Sequence, residues 1–282
     1  MNGATLPSGA VSAAIARPVR SCASVGALGL LGILACSGTL PPLRGQIEVG
    51  REAYAVVAAG SDPASSDLYA VRASGGPVIP ITFSSVGETR PALSPDGRRL
   101  AFLRGRAVGD STPGSVWVMD LLTGGEREVS LPRQAGIPRQ VGWSPDGSRL
   151  TVATTEGVFR TGPPGEASRA VPASQPERAA ADSSLAVLLG DPVFARAIPC
   201  AEPQSLCVVG DTGAPGLLAE HARAPARWGT DSVAFLVGNA IEVRPLGPGR
   251  ARQIEWSGLP GRASGLAVFA EPVEREVDSS AQ

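Results

Sequence analysis

The stretch Ser94-Pro95-Asp96-Gly97-Arg98-Arg99-Leu100-Ala101-Phe102 returns as Ser144-Pro145-Asp146-Gly147-Ser148-Arg149-Leu150-Thr151-Val152, 146 − 96 = 50 residues later. A phrase recurring at such a period marks an architecture of repeated supersecondary units, and it constrains the fold more than composition does. Ser-Pro-Asp-Gly is turn chemistry: Ser suits the first position of a type I turn, Pro sets φ at the second, Asp bonds nearby amides, and Gly accepts the exit. Two eroded copies extend the series. Asp182 precedes the apolar run of residues 185 to 188, and Trp228-Gly229-Thr230-Asp231-Ser232-Val233-Ala234-Phe235 echoes Trp143-Ser144-Pro145-Asp146. The further intervals are 182 − 146 = 36 and 231 − 182 = 49, so the three average 45, near the period of one four-stranded propeller blade.

Between the turns lie short runs rich in β-branched and aromatic residues and bounded by Gly or Pro, which read as strands: residues 100 to 104, 115 to 120 and 126 to 129. Leu121-Leu122-Thr123-Gly124-Gly125 supplies the next turn. With 35 Gly and 26 Pro in 282 residues, and no sustained helical rhythm beyond the N-terminal leader, the chain reads as all-β. The expectation is a β-propeller of about five four-stranded blades, six if residues 190 to 225 hold further strands. Residues 53 to 59, 67 to 73 and 78 to 83 match the second, third and fourth strands of a blade that lacks its first. Residues 265 to 270 form a lone strand at the other end, so the C-terminal strand is expected in the first blade, closing the ring and protecting its edges.

The first 35 residues contain no Asp or Glu, carry Arg17 and Arg20, and end in an apolar run from 25 to 35. This is the layout of a secretory signal peptide, and the run is too short for a spanning helix, which needs about 20 apolar residues. Ile33-Leu34-Ala35-Cys36 resembles the lipobox of bacterial lipoproteins. That resemblance implies a diacylglycerol on Cys36, cleavage before it, and anchoring by more than one aliphatic chain. Ser37, where the inner-membrane retention signal has Asp, implies the periplasmic side of an outer membrane rather than the inner one. The organisation read from the sequence is a leader over 1–35, a linker over 36–49, a propeller over 50–270 and a flexible acidic tail over 271–282. Cleavage would move the formal charge from 25 − 26 = −1 to 23 − 26 = −3, which argues against a nucleic-acid surface. Cys200 and Cys207 flank a hairpin-like loop, and an oxidising compartment would let them bridge. Their separation is unlike the close pairs of zinc knuckles or redox motifs.

SPDGRRLAF, followed by SVWVMDLLTG and by WSPDGSRL, is similar to the WD-like propeller repeats of the TolB family. The likeness covers residues 50 to 270 and is strongest in the second and third blades. Leu93 stands where the family repeat has Trp, and the fourth blade loses both Pro and Gly. The α/β domain that precedes the propeller in TolB is not expected here. The resemblance implies a non-catalytic cell-envelope module whose partner is another envelope protein or a peptide, with the membrane reached through the lipid.

Rival readings attach to particular residues. Asp96 and Asp146 could serve as bases or metal ligands, but their turn setting makes Ser94, Pro95, Asp96, Gly97, Ser144, Pro145, Asp146, Gly147, Asp182 and Asp231 structural punctuation. A sialidase Asp-box places its Gly two residues after the Asp, not immediately after it, and Tyr54 and Tyr69 sit at strand positions rather than as nucleophiles. His221, the sole histidine, has no Gly-x-Ser-x-Gly elbow to serve. All 25 basic residues are Arg, so no lysine serves a phosphate loop. No cofactor and no metal are therefore expected. Trp117, Trp143, Trp228 and Trp256 recur at blade-like positions and read as inter-sheet packing, with a sugar platform as the sharper reading. Arg98, Arg99, Arg104 and Arg106 form a local basic cluster, either a solvated hairpin face or a contact rim for an acidic partner. The alternative function is a carbohydrate- or peptide-binding propeller, hydrolytic or not, that uses the central channel.

Overall fold

Runs of Val, Ala, Leu and aromatic residues fill a pleated surface, and each Gly or Pro that interrupts them ends the ladder. The computed structural model describes residues 41–105, 114–161, 171–172, 197–199, 205–209 and 215–270. Its strands in chain order begin with β1 (Tyr54–Gly60), β2 (Asp67–Arg72), β3 (Gly76–Pro77) and β4 (Ile79–Pro80). A second group is β5 (Glu88–Leu93), β6 (Arg99–Arg104), β7 (Ser115–Asp120) and β8 (Glu126–Val129). A third is β9 (Pro138–Trp143), β10 (Leu150–Thr154), β11 (Gly157–Arg160) and β12 (Val171–Pro172), followed by β13 (Ala197–Pro199), β14 (Leu206–Val209) and β15 (Pro215–Ala219). The last are β16 (Arg223–Trp228), β17 (Ser232–Val237), β18 (Ala240–Pro245), β19 (Arg252–Ser257) and β20 (Arg262–Phe269).

Among the described residues these strands make five sheets, built from antiparallel strands that follow one another in the chain except where β20 and β3 join from elsewhere along it. The first runs β20-β1-β2-β4, the second β5 to β8, the third β9 to β12, the fourth β13 to β15, and the fifth β16 to β19 with β3 added in parallel at its edge. Strand β20 lies along β1 from Tyr54 opposite Phe269 to Gly60 opposite Arg262. Apolar clusters join the sheets pairwise: Val56, Leu100, Phe102 and Phe269 between the first and second, Val57, Leu236, Ile241 and Leu266 between the first and fifth. Val118, Val141, Trp143 and Val152 pack the second against the third, and Leu206, Ala219, Val233 and Phe235 pack the fourth against the fifth. Small sheets stacked face to face in chain order are the arrangement of a β-propeller.

Two details differ from the sequence reading. The fourth strand expected over 78–83 shrinks to Ile79–Pro80, and Gly76–Pro77 pairs with β19 of the fifth sheet instead. Pro77 and Pro80 lack the N–H that a longer ladder would use. The linker expected over 36–49 is docked from residue 41 onward: Leu43 and Ile47 are buried in the cluster between the first and second sheets. The Ile47 amide donates to the Leu43 carbonyl at 3.0 Å, a single helical turn that puts both side chains on one face. The leader, Cys36, Arg106, Asp182, Cys200 and the tail over 271–282 lie outside the described residues. No helix among the described residues is long and apolar enough to cross a membrane.

Candidate functional site

The two full copies of Ser-Pro-Asp-Gly join β5 to β6 and β9 to β10, the same point of successive sheets. In each, the Gly amide donates to the Ser carbonyl at 2.8 Å, closing the turn. Asp96 Oδ1 accepts from Ser94 Oγ at 2.5 Å and from the Arg98 amide at 3.2 Å, while Asp146 Oδ1 accepts from Ser144 Oγ at 2.5 Å and the Ser148 amide at 3.0 Å. The Ser144 hydroxyl, with the Ser148 amide and hydroxyl, pulls the Asp146 carboxyl down to about 2. Burial pushes Asp96 up, but Ser94, the Arg98 amide and the Arg99 and Arg98 charges outweigh it, and its pKa is lowered. Each carboxylate is thus held ionised and spent on its own turn. Asp231 stands in the turn between β16 and β17, where its Oδ1 accepts from Ser232 Oγ at 3.0 Å.

The turns also lock one sheet to the next, which the sequence reading missed. Tyr54, first residue of β1, donates its hydroxyl to the Gly97 carbonyl at 2.5 Å, and Arg99, first residue of β6, donates Nη2 to the Gly147 carbonyl at 2.8 Å. In both cases the second strand of one sheet grips the glycine of the following sheet's turn. The Arg99 guanidinium also stacks 4.5 Å from the Trp143 ring. Arg104 sits at the other end of β6, about 17 Å away at the rise of a strand. There it stacks 4.3 Å from the Trp117 ring and bonds Glu88 and Glu126, each at 2.8 Å. Arg98, Arg99 and Arg104 therefore do not form one basic surface. Trp143 and Trp117 pack against sheets with an arginine on one face, and Trp228 carries Arg252 at 4.6 Å.

A second repeat appears at the opposite end, where the first strand of each sheet begins. There β5, β9, β16 and β20 each carry one residue too many for the partner strand. Arg90 and Pro91 oppose Phe102, Ala224 and Pro225 oppose Phe235, and Arg139 and Ser264 are the surplus residues of β9 and β20. Such bulges bend a strand and re-aim its side chains, and they gather at rims and binding sites. Arg90 and Ala224 take left-handed backbone angles, φ +54° and +48°, as does His221 at +55° in the bend before β16. The signal in the sequence was a proline inside a strand run, as in Arg90-Pro91, Pro138-Arg139 and Ala224-Pro225.

These strand starts share one end of the molecule. Arg223 Nη1 donates to the Ala263 carbonyl at 2.8 Å, and a Cβ on Gly265 would lie 2.9 Å from Pro91 Cδ, so β16, β20 and β5 abut near their first residues. Trp143 Nε1 donates to the Ala92 carbonyl at 3.0 Å, which aligns β9 with β5 end for end. Each of the four strands brings one arginine: Arg90, Arg139, Arg223 and Arg262. Arg90, Arg139 and Arg262 are exposed and form no ion pair among the described residues. Arg223 and Arg262 share an open cleft of about 470 Å³ with His221, Gly238, Asn239 and Gly261, and no carboxylate lines it. Burial, then the neighbouring Arg262 charge, lowers the Arg223 pKa. Two guanidiniums side by side with no acid is an arrangement that attracts an anion. Among the described residues no three His, Cys, Asp or Glu converge as a metal site would need.

No family model matches the chain. Over 112 residues, 39% of the chain, it is 32% identical to the Protein TolB homolog of Chlorobium luteolum, and the match spans only 24% of that relative's length. Among solved structures, TolB from Acinetobacter baumannii aligns over 78% of this chain and 67% of its own, at 15% identity and a TM-score of 0.36. Periplasmic gluconolactonase from Pseudomonas aeruginosa aligns over 72% of this chain and 67% of its own, at 16% identity and a TM-score of 0.33. The Ser-Pro-Asp-Gly turn at the same point of successive sheets thus accompanies a partial sequence similarity to a TolB homologue.

Proposed function

We propose that the chain is an exported, lipid-anchored propeller that acts as a non-catalytic protein or peptide interaction module of the cell envelope, through the end at which its first strands begin. The observation that carries this reading is a division of labour: the repeated aspartates are consumed by their own turns, while the opposite end offers arginines that form no ion pair among the described residues. Those arginines can bind but supply neither nucleophile nor base. The same end is where a carbohydrate or peptide would enter a central channel, and one arginine per strand favours holding an anion over hydrolysing a bond. The name of the TolB homologue supports an envelope setting.

The finer architecture belongs to the same proposal. Five blades form a ring in which β20 completes the first, supported by the clusters that place the first sheet between the second and the fifth. Cys36 carries the lipid, on the periplasmic side of an outer membrane. Cys200 bridges Cys207, a pairing supported by the burial of Cys207 on β14 and by its disulfide-bonded sulfur. Crosslinking in the native envelope, followed by identification of what is captured, tests the function. A specific protein partner is expected, and turnover of a glycan or peptide library by the purified chain would overturn the non-catalytic reading. Cys36→Ser is expected to release the chain from membranes, and unchanged retention would refute the anchor.

A further inference from the structure

Resting on the interaction reading, we propose that the strand-start end binds an acidic linear segment of a partner protein, with one carboxylate seated between Arg262 and Arg223 and further carboxylates meeting Arg90 and Arg139. The cleft supplies the first contact. Arg223 is held in place by its bonds to the carbonyls of Ala263 and Gly238, at 2.8 and 3.4 Å, so its charge is fixed before anything binds. Arg262 is exposed with no partner among the described residues, and its guanidinium is free to close on a ligand. The Asn239 amide adds a neutral donor at the margin, and Gly238 and Gly261 leave the floor without side chains. A guanidinium pairs a carboxylate through two parallel bonds, and such charge-assisted bonds are roughly twice as strong as neutral ones.

The spacing of the remaining charges selects the ligand class. Arg90 stands on β5, which abuts β20 on the side away from β16, and Arg139 stands one strand further round on β9. A single compact dianion, such as phosphate, would call for arginines converging on one point. Here only two share a cleft, and the others follow at successive strands, as suits separate monovalent carboxylates along an extended chain. Arg90 and Arg139 lie in the bulges themselves, where the extra residue breaks the sheet's alternation, while Arg223 and Arg262 stand one or two residues before theirs.

The test uses the full chain and an N-acetylated, C-amidated hexapeptide of alternating Glu and Gly, its Gln counterpart with the same blocked ends, and inorganic phosphate. Amide shifts of Gly238, Asn239 and Gly261 are followed through each titration. The Glu peptide should shift them saturably and more weakly as salt rises, while the Gln peptide should not. Arg262→Gln, which leaves no buried partner behind, should weaken the Glu peptide about tenfold or more with an unchanged unfolding midpoint. Arg90→Gln should weaken it by a smaller factor. Equal binding of the Gln peptide, tighter binding of phosphate, or an unchanged affinity in Arg262→Gln would each overturn the proposal. If envelope crosslinking captures a protein equally well with wild type and Arg262→Gln, and the Glu peptide does not bind, this inference falls while the interaction module stands. Capture of no protein by either chain removes the module itself.

Discussion

Placing an alanine in turn at Gly97 and at Gly147 puts the same substitution into two copies of one turn, with unequal consequences. The backbone cost is common to both: φ is +66° at Gly97 and +67° at Gly147, and a Cβ in that region costs about 1–2 kcal/mol. The surroundings differ. A Cβ at Gly97 would lie 2.6, 2.7 and 3.0 Å from three ring carbons of Phe269, whereas at Gly147 the nearest atom is Pro95 Cδ at 3.3 Å. Phe269 cannot simply withdraw, because it is 4% exposed and its ring centre is 5.9 Å from that of Tyr54. Overpacking of this kind adds about 1–3 kcal/mol. Gly97→Ala is therefore expected to lose about 2–5 kcal/mol, and Gly147→Ala about 1–2. Urea denaturation reads both differences as shifts in midpoint at constant slope. Phe269→Leu should recover part of the loss in the Gly97→Ala background, which makes the pair non-additive in a double-mutant cycle. Equal losses at the two glycines, or a fully additive cycle, would refute the claim that this turn is docked on the first sheet.

Tyr54→Phe removes the donor to the Gly97 carbonyl and should cost about 1–2 kcal/mol by the same denaturation assay, with Arg99→Met weakening the next interface in the same sense. Leu43→Ala empties a fully buried site between the first and second sheets and should cost about 2–5 kcal/mol; a loss under half a kcal/mol, about what surface changes give, would mean that residues 41–50 are a tether after all. Deleting residues 263–282 removes most of β20 and should abolish cooperative unfolding, so a sharp transition in the truncated chain would count against β20 as a structural member of the first sheet. Asp146 is lowered from 3.8 to about 2 in the folded chain, so its stabilising effect is complete above the unfolded value and disappears as pH falls through about 2. Asp146→Asn should flatten that part of the acid-denaturation curve, and an unaltered acid limb would show that its turn bonds do not persist in solution.

The sequence reading placed the turns, the strands that flank them and the order of the sheets, because these depend on residues adjacent in the chain. Ser-Pro-Asp-Gly closes its turn with its own atoms, so its chemistry is readable where it stands. What the turn glycines do beyond that was not readable, since Tyr54 and Arg99 reach them from 43 and 48 residues away. The arginine cluster at 98 to 104 failed as a surface for a related reason: strand β6 extends between Arg99 and Arg104 and delivers them to different neighbours. The arginines that do share an end are Arg90, Arg139, Arg223 and Arg262, which no local window groups together. A proline within each of three strand runs was their visible trace, and it became meaningful only when the registers showed that four first strands, β5, β9, β16 and β20, bulge there. Strands β6, β10 and β17 begin 3, 4 and 1 residues after Asp96, Asp146 and Asp231, while Asp182 lies outside the described residues.

The pairing of β20 with β1 sets how this chain can fold in time. Tyr54 faces Phe269 across 269 − 54 = 215 residues, so the contact has a very high sequence separation and a correspondingly slow closure. During synthesis from the N-terminus, β1 can find β2 within a few residues, but its other edge waits for nearly the whole chain. That waiting edge is Tyr-Ala-Val-Val-Ala-Ala-Gly, apolar and uncharged, with the features of a strand that pairs with whatever strand it meets first. The nascent chain is thus exposed to misassembly at the first of its described strands, and a factor that shields this edge until residue 262 is available would raise its yield more than one acting on a later sheet.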